Sequence, residues 1–122
     1  MLRYRGEDYL EAIYNLSADS DHAHSVDVAK ILGVTKPTAF KALQKLSVQG
    51  YINKENYGSI GLTVKGRKTA EEIIRKHQAV RMLLTDVLKV SPETAEADAC
   101  KIEHCISRET TKKLFEFLDN KF

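Results

Sequence analysis

Val28-Ala29-Lys30-Ile31-Leu32-Gly33-Val34-Thr35-Lys36-Pro37-Thr38-Ala39-Phe40-Lys41-Ala42-Leu43-Gln44-Lys45-Leu46 is the stretch on which the fold turns. Ser25 caps a short apolar helix through Val28, Ala29, Ile31 and Leu32, and Gly33 ends it. After the turn Gly33-Val34-Thr35, Pro37 falls in the first turn of a further helix, where a missing N–H costs nothing. That helix runs to about Gln49, and Gly50 stops it. Residues 51–55 and 59–63 read as two short strands around Asn56-Tyr57-Gly58, a small hairpin. Helix, turn, helix and hairpin in this order describe a winged helix-turn-helix, although the same order occurs in proteins that never touch DNA.

Upstream, Leu10, Ile13 and Tyr14 recur at helical spacing and predict a first helix over residues 6–16, followed by a polar loop over 17–24. Downstream, Ala70, Ile73, Ile74, Val80, Leu84, Val87 and Leu88 recur at threes and fours and predict one long helix over 65–88. Ser91-Pro92-Glu93 opens a fifth helix reaching about Ile106, and Ser107 caps a last one through Leu114 and Leu118. The expected fold is mainly α: a winged helix-turn-helix over 1–64, joined by the long helix to a helical unit over 65–122.

The chain has 122 residues, 43% of them hydrophobic and 30% charged, with only 6 Gly and 2 Pro, a globular, helix-leaning composition that does not suggest a disordered or low-complexity chain. The apolar runs fall far short of the ~20 residues that span a bilayer. Met1-Leu2-Arg3-Tyr4-Arg5 carries no apolar segment of a secretory signal, so the cytoplasm is the expected compartment. Cys100 and Cys105, five apart, would point about 140° from one another on a helix, so reduced thiols are expected. The net charge of +2 says little, but residues 30–82 carry eleven Lys and Arg against three acids, while residues 1–29 sum to −4 and 83–122 to −2. A basic block between acidic flanks suits a polyanionic partner; a solvated basic surface is the plainer reading.

On the helix after the turn, Thr38, Lys41 and Lys45 fall within roughly 60° of one another, while Ala39, Leu43 and Leu46 share the opposite side. One face is core and the other is free to read bases, as a recognition helix requires. Thr35, Lys36, Pro37, Thr38, Lys41 and Lys45 are the candidate reading residues, with Lys54, Lys65 and Arg67 the candidate phosphate contacts. Phe40 sits beside the reading face, to pack inward or to meet a thymine methyl.

A second constellation has metal-ligand chemistry. Asp8 and Glu11 stand at i, i+3 on the first helix; Cys100, Glu103 and His104 stand at i, i+3, i+4 on the fifth. A thiolate, a carboxylate and an imidazole sharing a face make a transition-metal surface. Each has a duller explanation: Cys100 as a small buried apolar residue, Glu103 as a partner for Lys101, His104 as a helix-end cap. His77 lies on the apolar stripe of the long helix, where a histidine is more often a satisfied core residue than a ligand. His22 and His24 lie in a polar loop and need no function.

The stretches Glu7-Asp8-Tyr9-Leu10-Glu11-Ala12-Ile13-Tyr14, the helix-turn-helix, Leu62-Thr63-Val64-Lys65-Gly66-Arg67, Lys76-His77 and Ala99-Cys100-Lys101-Ile102-Glu103-His104-Cys105-Ile106-Ser107 together resemble the diphtheria toxin repressor family of iron- and manganese-dependent transcriptional repressors. The resemblance spans nearly the whole chain in the family's order. It implies a homodimer, formed by the C-terminal helices, that binds a palindromic operator when metal is present. Apolar residues of the last two helices, such as Ile102, Ile106, Leu114 and Leu118, are the expected interface. The ligands it implies are Asp8, Glu11, His77, Cys100, Glu103 and His104, with the metal acting as a strut between the two halves.

Manganese-type members carry Asp and Glu at the positions of Asp8 and Cys100, and iron-type members carry Met and Cys. Asp8 with Cys100 is a hybrid; the thiolate favours Fe²⁺, with Mn²⁺ second. Where iron-type members have a glutamate of an ancillary site, this chain has Arg81, a cation that cannot ligate a metal. The chain ends at Phe122, so the shorter, two-domain form is expected, without the barrel resembling an SH3 domain. The sequence contains no His-Glu-x-x-His, no nucleophile elbow and no phosphate-binding Gly loop, so an enzyme is not expected. The alternative is a winged-helix regulator without metal control, distinguished by whether a chelator changes DNA affinity. The operator and the number of metals per subunit are not readable from these residues.

Overall fold

The computed structural model describes residues 4–18, 22–55 and 58–121. Two-thirds of the expected hairpin turn, Asn56 and Tyr57, lies outside the described residues, as does the middle of the 17–24 loop. The elements in order are α1 (Tyr4–Leu16), β1 (Ala23–His24), α2 (Ser25–Leu32), α3 (Lys36–Val48), β2 (Ile52–Lys54), β3 (Ser59–Leu62), α4 (Val64–Met82), α5 (Pro92–Ile102) and α6 (Arg108–Lys121). None of the described helices is long and apolar enough to cross a membrane. The chain forms two compact units that divide within α4, at Glu71 and Glu72.

In the first unit, α2 ends where Gly33 adopts φ 66°, and its N–H and that of Val34 close onto Lys30 and Ala29. The Thr35 hydroxyl then caps α3, accepting from the Thr38 N–H at 3.3 Å, with Pro37 inside the first turn. The apolar faces of α1, α2 and α3 meet in one core of Tyr9, Leu10, Ile13, Val28, Ala39, Leu43 and Leu46, closed by Ile52 and Ile60 from the strands. Full burial of a Leu or Ile contributes about 1.5–3 kcal/mol, so this core decides the position of α3.

Two readings of this region are corrected. Ser25 is the first residue of α2 rather than its cap; the capping position is His24, which makes no side-chain cap bond. The reason is that Ala23–His24 is drawn into the sheet, pairing Ala23 with Ile60 and His24 with Ser59. The sheet therefore has three strands in the order β1-β3-β2, not the two of a bare hairpin.

In the second unit, the α-helical part of α4 stops at Met82, and a π-helical turn carries the chain through Leu83–Val87 to Lys89, which takes φ 61°. The fifth helix is shorter than expected. It ends at Ile102, so Glu103 is its C-terminal cap and His104 and Cys105 form a turn. Ser107 does cap α6, accepting from the Thr110 N–H at 3.1 Å. Ala95, Ala99, Ile73, Val80 and Leu118 are buried. Leu118 is thus part of the monomer's interior and not an exposed interface residue; one step of about 100° along α6, Phe117 is 45% exposed instead.

Candidate metal centre and nucleic-acid face

The metal-type residues of the second unit converge. His77 sits on α4 between the buried Ile73 and Val80, its side chain only 14% exposed. Its Nδ1 lies 2.9 Å from Glu103 Oε2 and 3.9 Å from Cys100 Sγ. One ligand atom each from His77, Cys100 and Glu103 falls within 4.8 Å of the others. His104 joins through Glu103, its Nε2 3.3 Å from Oε1 and its side chain 2% exposed. Glu103 keeps its relation to Cys100 although α5 has ended, because the cap residue retains helical dihedrals of φ −57° and ψ −28°.

The chemistry of this donor set fits a divalent transition ion. Donors sharing one ion at metal–ligand distances of ~2.0–2.3 Å stand roughly 3–4 Å apart, and the two contacts of His77 Nδ1, 2.9 and 3.9 Å, are of that order. Glu103 is 1% exposed, and a buried carboxylate is costly without positive charge beside it; two imidazoles already adjoin it. Glu103 is turned inward rather than toward solvent, where a pairing with Lys101 would place it, and the Cys100 sulfur faces an imidazole. Neither Cys100 nor Cys105 is in a disulfide.

Asp8 and Glu11 lie in the first unit, both half-buried and one turn apart on α1.

A residue the sequence reading passed over stands beside this cluster. Glu96 of α5 places Oε1 2.9 Å from His77 Nε2, and its Oε2 lies 3.7 Å from Arg81 Nε. The available signal was its position four residues before Cys100, on the same face of the helix.

The candidate DNA-reading residues all lie on the first unit's surface. Lys36, Pro37, Thr38, Lys41 and Lys45 are exposed on α3, and Thr35, exposed at its cap, donates its hydroxyl to Thr38 Oγ1 at 2.9 Å. Phe40 points outward and is 60% exposed, so the inward alternative is excluded. Lys54 Nζ stands 3.9 Å over the Phe40 ring and donates to Gln44 Oε1 at 2.8 Å, which ties the strand of the wing to α3. Lys65 donates to the Gln49 carbonyl at 3.0 Å and covers the Tyr51 ring, while Arg67 lies 5.8 Å over Tyr14. His22 is not idle: its Nε2 is 3.0 Å from Glu55 Oε1.

Comparison with known proteins agrees with both parts. Residues 1–60 match the family model described as iron dependent repressor, N-terminal DNA binding domain. Residues 63–121 match iron dependent repressor, metal binding and dimerisation domain. An uncharacterized HTH-type transcriptional regulator of Methanocaldococcus jannaschii is 34% identical over 93% of this chain and 91% of its own. The transcriptional regulator MntR of Salmonella typhimurium is 40% identical over 91% of this chain and 70% of its own length. Among solved structures, the metal-dependent transcriptional regulator MtsR superposes with a TM-score of 0.85 at 26% identity, covering 93% of this chain and 53% of that one.

Proposed function

The chain belongs to the iron-dependent repressor family of transcriptional regulators, not enzymes, and from that premise we propose that it is a cytoplasmic homodimeric repressor that binds a palindromic operator when a divalent metal is bound. The observation that carries the reading is the convergence of His77, Cys100 and Glu103 within 4.8 Å, in a chain that also presents an exposed, basic α3. His77, Cys100, Glu103 and His104 hold the ion in this reading. Asp8 and Glu11 join them on the strength of the family resemblance, which Asp8→Ala and Glu11→Ala variants test. The ion supplies the positive charge that a buried carboxylate needs and fixes the imidazole rings around it. A thiolate donor favours Fe²⁺ over the harder Mn²⁺, so Fe²⁺ is the proposed effector, with Mn²⁺ second.

On the DNA side, Thr35, Lys36, Pro37, Thr38, Lys41 and Lys45 meet the major groove, and Lys54, Lys65 and Arg67 the phosphates. A two-fold dimer matches a palindromic site, its half-sites separated by whole helical turns. Ile102, Ile106 and Leu114, all half-buried, and the exposed Phe117 are the proposed dimer-forming residues.

Metal and DNA binding are then coupled, and by linkage operator DNA tightens metal binding by the factor that metal tightens DNA binding, commonly about 5- to 150-fold. The test is DNA affinity measured on one sample with Fe²⁺, with Mn²⁺ and with chelator, for the native chain and Glu103→Ala. The native chain tightens on its operator with metal; the variant does not. Equal affinity in chelator would favour a winged-helix regulator without metal control.

A further inference from the structure

Resting on the metal-binding reading of the His77–Cys100–Glu103 cluster, we propose that Glu96 and Arg81 form its positioning pair: Glu96 holds the His77 ring by Nε2 so that Nδ1 faces the ion, and Arg81 holds Glu96 in place. An imidazole has two nitrogens, and only the one without a proton can ligate; the hydrogen bond made by the other decides which is which. With the ion on the side of Glu103 and Cys100, Nδ1 is the ligating nitrogen, and Nε2, 2.9 Å from a Glu96 oxygen, is the one left to donate its proton there. Nδ1 is the nitrogen turned toward Glu103 and Cys100, at 2.9 and 3.9 Å.

Glu96 itself needs holding. Its side chain is 55% exposed, free of the packing that fixes His77, and a carboxylate at the edge of a metal centre has the option of swinging in as a ligand. Arg81, four residues after His77 on the same face of α4, sets its Nε 3.7 Å from the second Glu96 oxygen. The guanidinium gives that oxygen a counter-charge on the side away from His77. Arg81 thus has a role of its own, as the counter-charge that keeps Glu96 at the His77 ring.

The experiment uses the full chain, with Co²⁺ as the affinity probe and Zn²⁺ as a diamagnetic probe for ¹⁵N spectra of the histidine rings. Glu96→Ala weakens Co²⁺ binding about 10- to 100-fold, the usual effect of losing an outer hydrogen bond to a ligating histidine. Glu96→Gln, whose amide oxygen still accepts from Nε2, recovers most of that loss. Arg81→Ala costs a smaller factor. In the Zn²⁺-loaded native chain the ¹⁵N spectrum shows His77 protonated at Nε2, and this proton exchanges faster with water in Glu96→Ala. Glu96 is an exposed residue, and an unchanged circular dichroism spectrum checks that its truncation leaves the fold intact. The proposal is overturned if Glu96→Ala binds Co²⁺ within two-fold of the native chain, if Glu96→Gln is as weak as Glu96→Ala, or if the His77 proton sits on Nδ1. A native chain that binds no metal sinks the functional reading as well; one whose DNA affinity rises with metal while Glu96→Ala matches it sinks only this inference.

Discussion

Gly66 offers a substitution whose sign depends on tertiary structure alone. It occupies the first turn of α4 with ordinary helical dihedrals, so by intrinsic propensity Gly66→Ala should stabilise the helix by about 0.8–1.0 kcal/mol. The surroundings reverse this. A methyl group on Gly66 would stand 2.9 Å from the Tyr51 carbonyl carbon and 3.2 Å from Leu62 Cδ2, with the Tyr51 oxygen closer still. That oxygen cannot simply withdraw, because it accepts from the Thr63 N–H at 3.1 Å, and the Thr63 hydroxyl lies 2.7 Å from the Gly50 carbonyl while accepting from the Gly66 N–H at 3.0 Å. Making room for the methyl opens this knot, at about 1 kcal/mol for each of two or three hydrogen bonds. Disturbed packing of Tyr51 and Leu62 adds about 1 kcal/mol. Against the propensity gain, the net is a loss of about 2–3 kcal/mol, or roughly 8–12 °C in Tm for a chain of this size. Urea and thermal unfolding followed by circular dichroism measure it. An alanine variant as stable as the native chain, or more so, would refute the reasoning.

Gly33→Ala should behave differently, since nothing lies within 4 Å of the added methyl and only the φ of 66° is unfavourable; a loss of about 1–2 kcal/mol in the same unfolding assay is expected. Phe40→Ala should cost under about 1 kcal/mol of stability, the scale of the exposed cation–π contact with Lys54, and a core-sized loss of 3–5 kcal/mol would contradict its exposure. In DNA titrations, Lys41→Ala should cost roughly 1–3 kcal/mol and relax base preference, whereas Arg67→Ala should weaken all sequences alike and lower the salt slope by about one.

The helix-turn-helix was legible because its punctuation is local: Gly33, Pro37 and Gly50 each do their work within a few residues, and a 3.6-residue period fills the space between. β1 was not, since two residues carry no period and Ala23–His24 becomes a strand only through Ile60 and Ser59. The end of α5 was missed for a related reason. No Gly or Pro follows Ile102, and the polar run Glu103-His104-Cys105 continues the helical pattern into what is a turn. At the candidate metal centre, Cys100 and Glu103 were singled out by spacing along one segment. Glu96 was not found, because an exposed glutamate reads as a solvated charge until His77 is seen against it.

The same distinction separates cations that the sequence treats alike. Lys54 was read as a phosphate contact, yet its ammonium is held by Gln44 at 2.8 Å and by the Phe40 ring at 3.9 Å. To reach a phosphate it must give up one or both, and an exposed cation–π contact alone is worth about 0.5–1 kcal/mol. That cost is subtracted from whatever the phosphate returns. Lys54→Ala should therefore weaken DNA binding less than Arg67→Ala does. Gln44→Ala, by releasing the Lys54 ammonium from its hydrogen bond, should leave nonspecific affinity unchanged or slightly higher. If Gln44→Ala instead lowers affinity for all sequences, Lys54 acts on DNA from the position it already holds, and the contact with Gln44 is what aims it.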